Sequence, residues 1–167
     1  KIKEDAEKQF VQQSDQKLLN DVTEHLVDKT KFDLPTTFLQ KWMQTAGEQE
    51  LTEEQAKDEY EKSEKSLRYQ LIEGKLVTEN NLQVNFDELK DFSKQMIKGQ
   101  MAQFGQMNPT EKELDDIAAR VMSNQEEVKR LSEQLTSQKL LSFYKENTNL
   151  KVKELPYDKF VKEVYGS

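Results

Sequence analysis

The chain has 167 residues, 32 Asp and Glu against 25 Lys and Arg, a net charge of -7, and no Cys. Five Gly and three Pro are eight of 167, about 5%, where an average protein carries roughly 12%. A β-sandwich or barrel needs a turn about every 8–12 residues, so β architectures, disulfides and thiolate zinc sites are excluded together.

Other function classes go with them. No run of about 18 apolar residues offers a membrane span, and no signal peptide is visible. Three Arg beside 22 Lys in an acidic chain argue against nucleic acid, which favours clustered positive charge and bidentate Arg. Leu, Ile, Val and Phe number 18, 4, 10 and 8, or 40 of 167. That supply is thin for one compact ball, so an elongated all-α body of one domain, residues 1–167, is expected. A chain beginning at Lys1 rather than Met is expected to be a fragment, a processed product or a trimmed chain.

The first helix is expected over residues 2–29. Ile2, Ala6 and Phe10 mark one stripe, and Val11, Leu18, Val22 and Leu26 another. Pro35 biases Leu34 towards an extended conformation and suits the first turn of a second helix over 36–46, which carries Phe38, Leu39, Trp42 and Met43. Thr52 followed by Gln55 is a capping-box signature for a third helix over 53–80. Its apolar face runs through Ala56, Tyr60, Ser63, Leu67, Leu71, Gly74 and Thr78, with eight acids and three Lys in residues 48–65. The weak first half of that face predicts a protruding hairpin arm, and the richer second half predicts a place in a core.

Asn80-Asn81 breaks the third helix, and a fourth begins near Phe86 or Asp87, fraying at Gly99 and Gly105. Thr110 caps against Glu113 to start a fifth helix over 111–123. A sixth is expected over 125–146 and a short terminal one over 157–165, bearing Phe160, Val161 and Val164. A weak repeat joins these elements. At Phe32/Leu34, Leu82/Val84 and Leu150/Val152 two alternating apolar residues pass in extended form between helices. Either one hairpin-like unit is used three times, or each corner simply needs an apolar plug.

Chemistry finds little footing. His25 is the lone histidine, set between Glu24 and Leu26 in a helix, which removes any two-His metal site and leaves it without a catalytic constellation. Asp115-Asp116 and Glu126-Glu127 suit helix N-termini, where acids complement the dipole. The scattered glycines form no phosphate loop, so no catalytic residue, metal or cofactor is expected. The segment Met96 to Met107 is unusual, with three of the five Met, two of the five Gly, and Gln between them. Methionine is overused on surfaces that accept varied apolar partners. Met at helical spacing is equally at home in a core.

The order of residues is similar to the C-terminal chaperone domain of bacterial trigger factor. The resemblance spans nearly the whole chain. It rests on Phe32-Asp33-Leu34-Pro35 after a long helix, and on Leu71-Ile72-Glu73-Gly74-Lys75-Leu76 leading to Asn80-Asn81-Leu82 and Asp87-Glu88-Leu89. The helix from Val128 to Leu141, followed by Lys151-Val152-Lys153-Glu154 and a terminal helix, completes it. The Met- and Gln-rich 96–107 segment and the acidic 48–65 stretch depart from the family pattern.

What the resemblance implies is an all-α body with protruding helical hairpin arms, acting in the cytoplasm as an ATP-independent chaperone. Its partners would be unfolded or nascent polypeptides held weakly in a helical cradle, in a family linked also to protein transport and cell division. The family joins this domain to a ribosome-docking domain and a prolyl isomerase domain. Neither the Gly-Phe-Arg docking signature nor the aromatic-lined β-domain occurs here. Isomerase activity and direct ribosome binding are therefore not expected of this chain. The residues expected to contact clients are Met96, Ile97, Met101, Phe104 and Met107, with Trp42 and Met43 as a second patch. A scaffold dimerising through its arms with a dedicated folded partner, or a periplasmic chaperone of similar build, stays open.

Overall fold

A helix end leaves four N–H or four C=O groups unpaired, and what satisfies them decides where each helix here starts and stops. A computed structural model describes the backbone of residues 2–47 and 49–165, with side chains from Glu7 to Val164 except Glu48. The expected contributions of Ile2 and Ala6 to a stripe lie outside the described side chains. Among the described residues the fold is all-α, with seven helices and no strand. They are α1 (Ile2–Lys29), α2 (Thr36–Ala46), α3 (Glu53–Glu79), α4 (Phe86–Gln103), α5 (Glu111–Met122), α6 (Gln125–Asn147) and α7 (Tyr157–Tyr165).

Capping explains four of the starts. The Thr52 N–H donates to Gln55 Oε1 at 2.9 Å while Gln55 N–H donates back to Thr52 Oγ1 at 3.2 Å. Thr110 and Glu113 make the same reciprocal pair. Asn85 and Glu88 make a third, with bonds of 3.0 and 2.9 Å, so α4 has a capping box that the sequence reading missed. Asn124 accepts from the N–H groups of Glu126 and Glu127 to start α6.

The ends are equally specific. Asn81 takes φ 53°, and Leu82 N–H reaches back to Val77 C=O at 2.9 Å, a Schellman-type closure of α3 with Asn in the left-handed position. Gly105, at φ 86°, closes α4 in the same way, with Gln106 N–H on Met101 C=O and Gly105 N–H on Ala102 C=O. Gly99, where fraying was expected, lies inside an unbroken α4. Nothing lies within 4 Å of a Cβ added at Gly105, so Gly105→Ala meets only the left-handed backbone penalty. That substitution is expected to lower stability by about 1–2 kcal/mol, read as a shift in urea midpoint at unchanged m-value.

Within the single domain expected from length, the residues group into two compact units. The first comprises residues 1–76 and 152–167, and the second residues 77–151. In the second unit α4, α5 and α6 pack on one another. Ile97, Leu114 and Ala118 form a buried cluster, with Met101, Ile117 and Val121 packed against it. Leu89 of α4 and Leu131, Leu140 and Tyr144 of α6 are also buried. Lys139 of α6 donates to both Glu88 carboxylate oxygens at 2.7 Å and to Gln83 C=O at 2.9 Å. Between α4 and α5, Asp115 Oδ1 takes Lys94 at 2.8 Å and Lys90 at 2.9 Å.

Those ion pairs give this unit a defined acid limb. Glu88 is held below the usual carboxylate range by its bond to Lys139 and then by the Asn85 N–H. Asp115 is held down by Lys94 and then Lys90, and Glu113 by the Thr110 backbone. A carboxylate with a lowered folded pKa stabilises above its unfolded value and loses that contribution as pH falls through the folded one. Urea melts of unit two are therefore expected to weaken progressively below the ordinary values of 4.5 and 3.8. These pairs are near the surface, so 1 M salt should flatten the dependence.

The first unit holds α1, α2, most of α3, and α7. Ala56, Tyr60 and Ile72 of α3 are buried. Tyr60 and Thr36 share a 3.0 Å hydroxyl–hydroxyl hydrogen bond. The expected α3 face is corrected here. Its first half, read as weak, contains two buried residues because Ala56 is small and the Tyr60 hydroxyl has a partner in Thr36. Farther on, Ile72 is buried and Leu71 exposed. Arg68 binds the corner before α2, donating to Phe32 C=O at 2.7 Å. α7 packs on α1, with Phe10 edge-on to Tyr157 and Phe160 at centroid distances of 5.6 and 6.1 Å. Of the three expected corner plugs, Phe32/Leu34 and Leu82/Val84 are half-buried, whereas Leu150 and Val152 are exposed.

Candidate functional site

Helix α2 has no buried residue. It carries two i, i+4 apolar pairs, which on a helix fall on neighbouring faces. Leu39 and Met43 are half-buried, while Phe38 and Trp42 are 64% and 55% exposed. Exposing two large aromatic side chains one turn apart forgoes roughly 1.5–3 kcal/mol of burial for each. Trp42 was among the expected contact residues and Phe38 was not. Its signal was present in the sequence as the spacing of four from Trp42.

The second patch lies at the end of α4. Phe104 is the C-cap residue of α4, with φ -93° and ψ 14°. Phe104 is 87% exposed and Met107 69% exposed, separated by Gly105 and Gln106. Gln100, Gln103 and Gln106, close by in the sequence, are exposed as well. Other residues expected in this segment lie deeper. Met96 is half-buried, Met101 packs against the core cluster, and Ile97 belongs to it. Helical spacing puts Ile97 and Met101 on the side of α4 that faces α5, because Leu114 and Ala118 supply the apolar surface there.

Nothing in these patches suggests bond-making chemistry. His25 is exposed on α1. Among the described residues no group of three His, Cys, Asp or Glu is placed to hold a metal ion. No described helix is long and apolar enough to cross a membrane. A cleft of about 360 Å³ in the second unit is lined by Leu82, Leu135, Lys139 and Phe143, among others, and it is shallow and open. What the arrangement offers is adhesive apolar surface set in a charged exterior.

The family model described as probable trigger factor, C-terminal domain, matches residues 14–164. No curated protein and no solved structure gives a match.

Proposed function

The chain belongs to the trigger factor C-terminal domain family, a chaperone-type domain, and from that premise we propose that it binds unfolded or nascent polypeptides without nucleotide. The observation that carries the reading is the exposure of Phe38, Trp42, Phe104 and Met107 in a chain of net charge -7. Contiguous exposed apolar groups normally mark an interaction surface, and the surrounding charge keeps the chain soluble. Each pair can bury only a few apolar groups of a client, so single contacts are weak and reversible. A long unfolded client engaging several such places gains about 10²–10⁴ in avidity. Release then requires no fuel, since each contact breaks by itself.

The test is light scattering from a denatured client in the presence of the chain. The intact protein should suppress aggregation at stoichiometric excess, with or without ATP. A variant carrying Phe38→Ser, Trp42→Ser, Phe104→Ser and Met107→Ser should need about tenfold more protein for the same effect. These exposed positions should each alter folding stability by no more than about 0.5 kcal/mol, checked by thermal melting. Absence of suppression by the intact chain, or saturable binding only to one folded partner, would sink the proposal in favour of a scaffold.

A further inference from the structure

α7 is nine residues long, below the roughly 12–15 at which an isolated helix becomes even marginally stable in water. Its helicity therefore depends on what it lies against. The element it packs on is α1. Tyr157, Phe160, Val161 and Val164 recur at steps of three, one and three, an amphipathic stripe with aromatics at its leading end. Phe10 receives both rings edge-on.

The seat is loose. No described residue of α7 is buried; Phe160, Val161 and Val164 are half-buried and Tyr157 is 63% exposed. On the α1 side Phe10 is still 38% exposed with α7 in place, and Val11 is exposed beside it. Residues 148–156, which tether α7 to α6, form no helix, and Val152 within them is exposed. Strength here comes from tethering. A covalently tethered segment acts at an effective concentration on the order of millimolar, enough to hold a weak helix on a weak surface.

We propose that the Phe10 face of α1 is a binding surface for amphipathic, aromatic-bearing client segments, and that α7 is its built-in occupant. The inference rests on the client-binding reading above and deepens it. The seated helix specifies the partner: a segment of about two turns with apolar residues at i, i+3, i+4 and i+7, two of them aromatic. Such a segment makes the same ring contacts with Phe10 that Tyr157 and Phe160 make. It must displace α7 to do so. If α7 is seated about nine-tenths of the time, the apparent affinity for a rival falls about tenfold. α7 thus sets a threshold, admitting segments presented at high local concentration and turning away dilute ones.

The experiment uses the full chain and a dye-labelled synthetic peptide of residues 155–164, followed by fluorescence anisotropy. Tyr157→Ser with Phe160→Ser should bind the peptide about tenfold more tightly than the intact chain does. Adding Phe10→Ser to that variant should remove the gain. Equal affinity for intact and released chains overturns the proposal, as does binding indifferent to Phe10→Ser. So does a released chain that dimerises and excludes the peptide, since the surface would then serve a second copy. Hydrogen exchange on the unmutated chain gives an arm independent of variant folding. Excess peptide should strip protection from amides 158–164 and leave those of 114–121 unchanged; unchanged protection at 158–164 also overturns it. Light scattering separates the two readings. If the intact chain suppresses aggregation but α7 is never displaced, this inference alone falls. If the peptide displaces α7 but the chain suppresses nothing, the chaperone reading falls.

Discussion

Leu140→Ala is expected to destabilise the second unit by about 3–5 kcal/mol, the loss found when a buried leucine is cut back and its surroundings cannot collapse. Leu140 is 1% exposed, and Tyr144, one helical turn later on α6, is 2% exposed. The two lie on one face of α6, a helix that packs on both α4 and α5, so filling the void would require α6 to move. Unit two holds residues 77–151, or 75 residues. At roughly 0.05–0.15 kcal/mol per residue its whole stability is about 4–11 kcal/mol. One truncation thus removes a large share of what holds it folded. Urea melts followed by circular dichroism should show the midpoint falling with little change in slope. Leu150→Ala, at a residue exposed after α6, should stay within about 0.5 kcal/mol. Comparable losses at both positions would mean that α6 does not carry this core.

Arg68→Lys is expected to destabilise the first unit by about 1–3 kcal/mol, although it conserves charge. Arg68 does three things at once. Its Nη1 donates to Phe32 C=O at 2.7 Å, and its Nε and Nη2 both donate to Glu64 Oε1, at 3.0 and 2.8 Å. Its guanidinium carbon also stands 5.2 Å from the centre of the Phe32 ring. A lysine ammonium has three donors but lacks the planar fork that reaches the Phe32 carbonyl and Glu64 while lying against the ring. The Glu64 pair is partly solvated and contributes only about 0.3–0.5 kcal/mol, as i, i+4 pairs do. Most of the loss should therefore come from the Phe32 carbonyl and ring. Glu64→Gln alone should be mild, and the Arg68→Lys/Glu64→Gln double variant should cost little more than Arg68→Lys. Urea melts followed by circular dichroism read the change.

Helix boundaries were legible in the sequence because local chemistry writes them. Thr52 with Gln55, Thr110 with Glu113, and the Asn80-Asn81 pair act within a few residues of themselves, and each acts as read. Asn85 with Glu88 obeys the same rule but was passed over in favour of Phe86 and Asp87 as the start. Which side of a helix is buried was less legible, because a neighbouring apolar residue only 100° away competes for the same place. Leu71 and Ile72 differ by one position, and packing selected Ile72. In α4 the regular spacing of Ile97, Met101 and Phe104 suggests one surface. Phe104 stands at the C-cap and is exposed, whereas Ile97 and Met101 pack with α5. On α2, Phe38 and Leu39 are equally apolar, and only their different exposure in the folded chain tells them apart. Family membership came through order and spacing over the whole length, with no single motif sufficient.

The split of the first unit between residues 1–76 and 152–167 has a consequence for how the chain is made. A ribosome delivers α1, α2 and most of α3 early, yet α7, which packs on α1, comes only after all of residues 77–151. The second unit is contiguous, so α4, α5 and α6 can close their core while the first unit is still missing a helix. The second unit can therefore be complete before the first one is. Until synthesis reaches Tyr157, Phe10 stands without the two rings that meet it in the finished protein, and the newborn chain has its own apolar face to shelter.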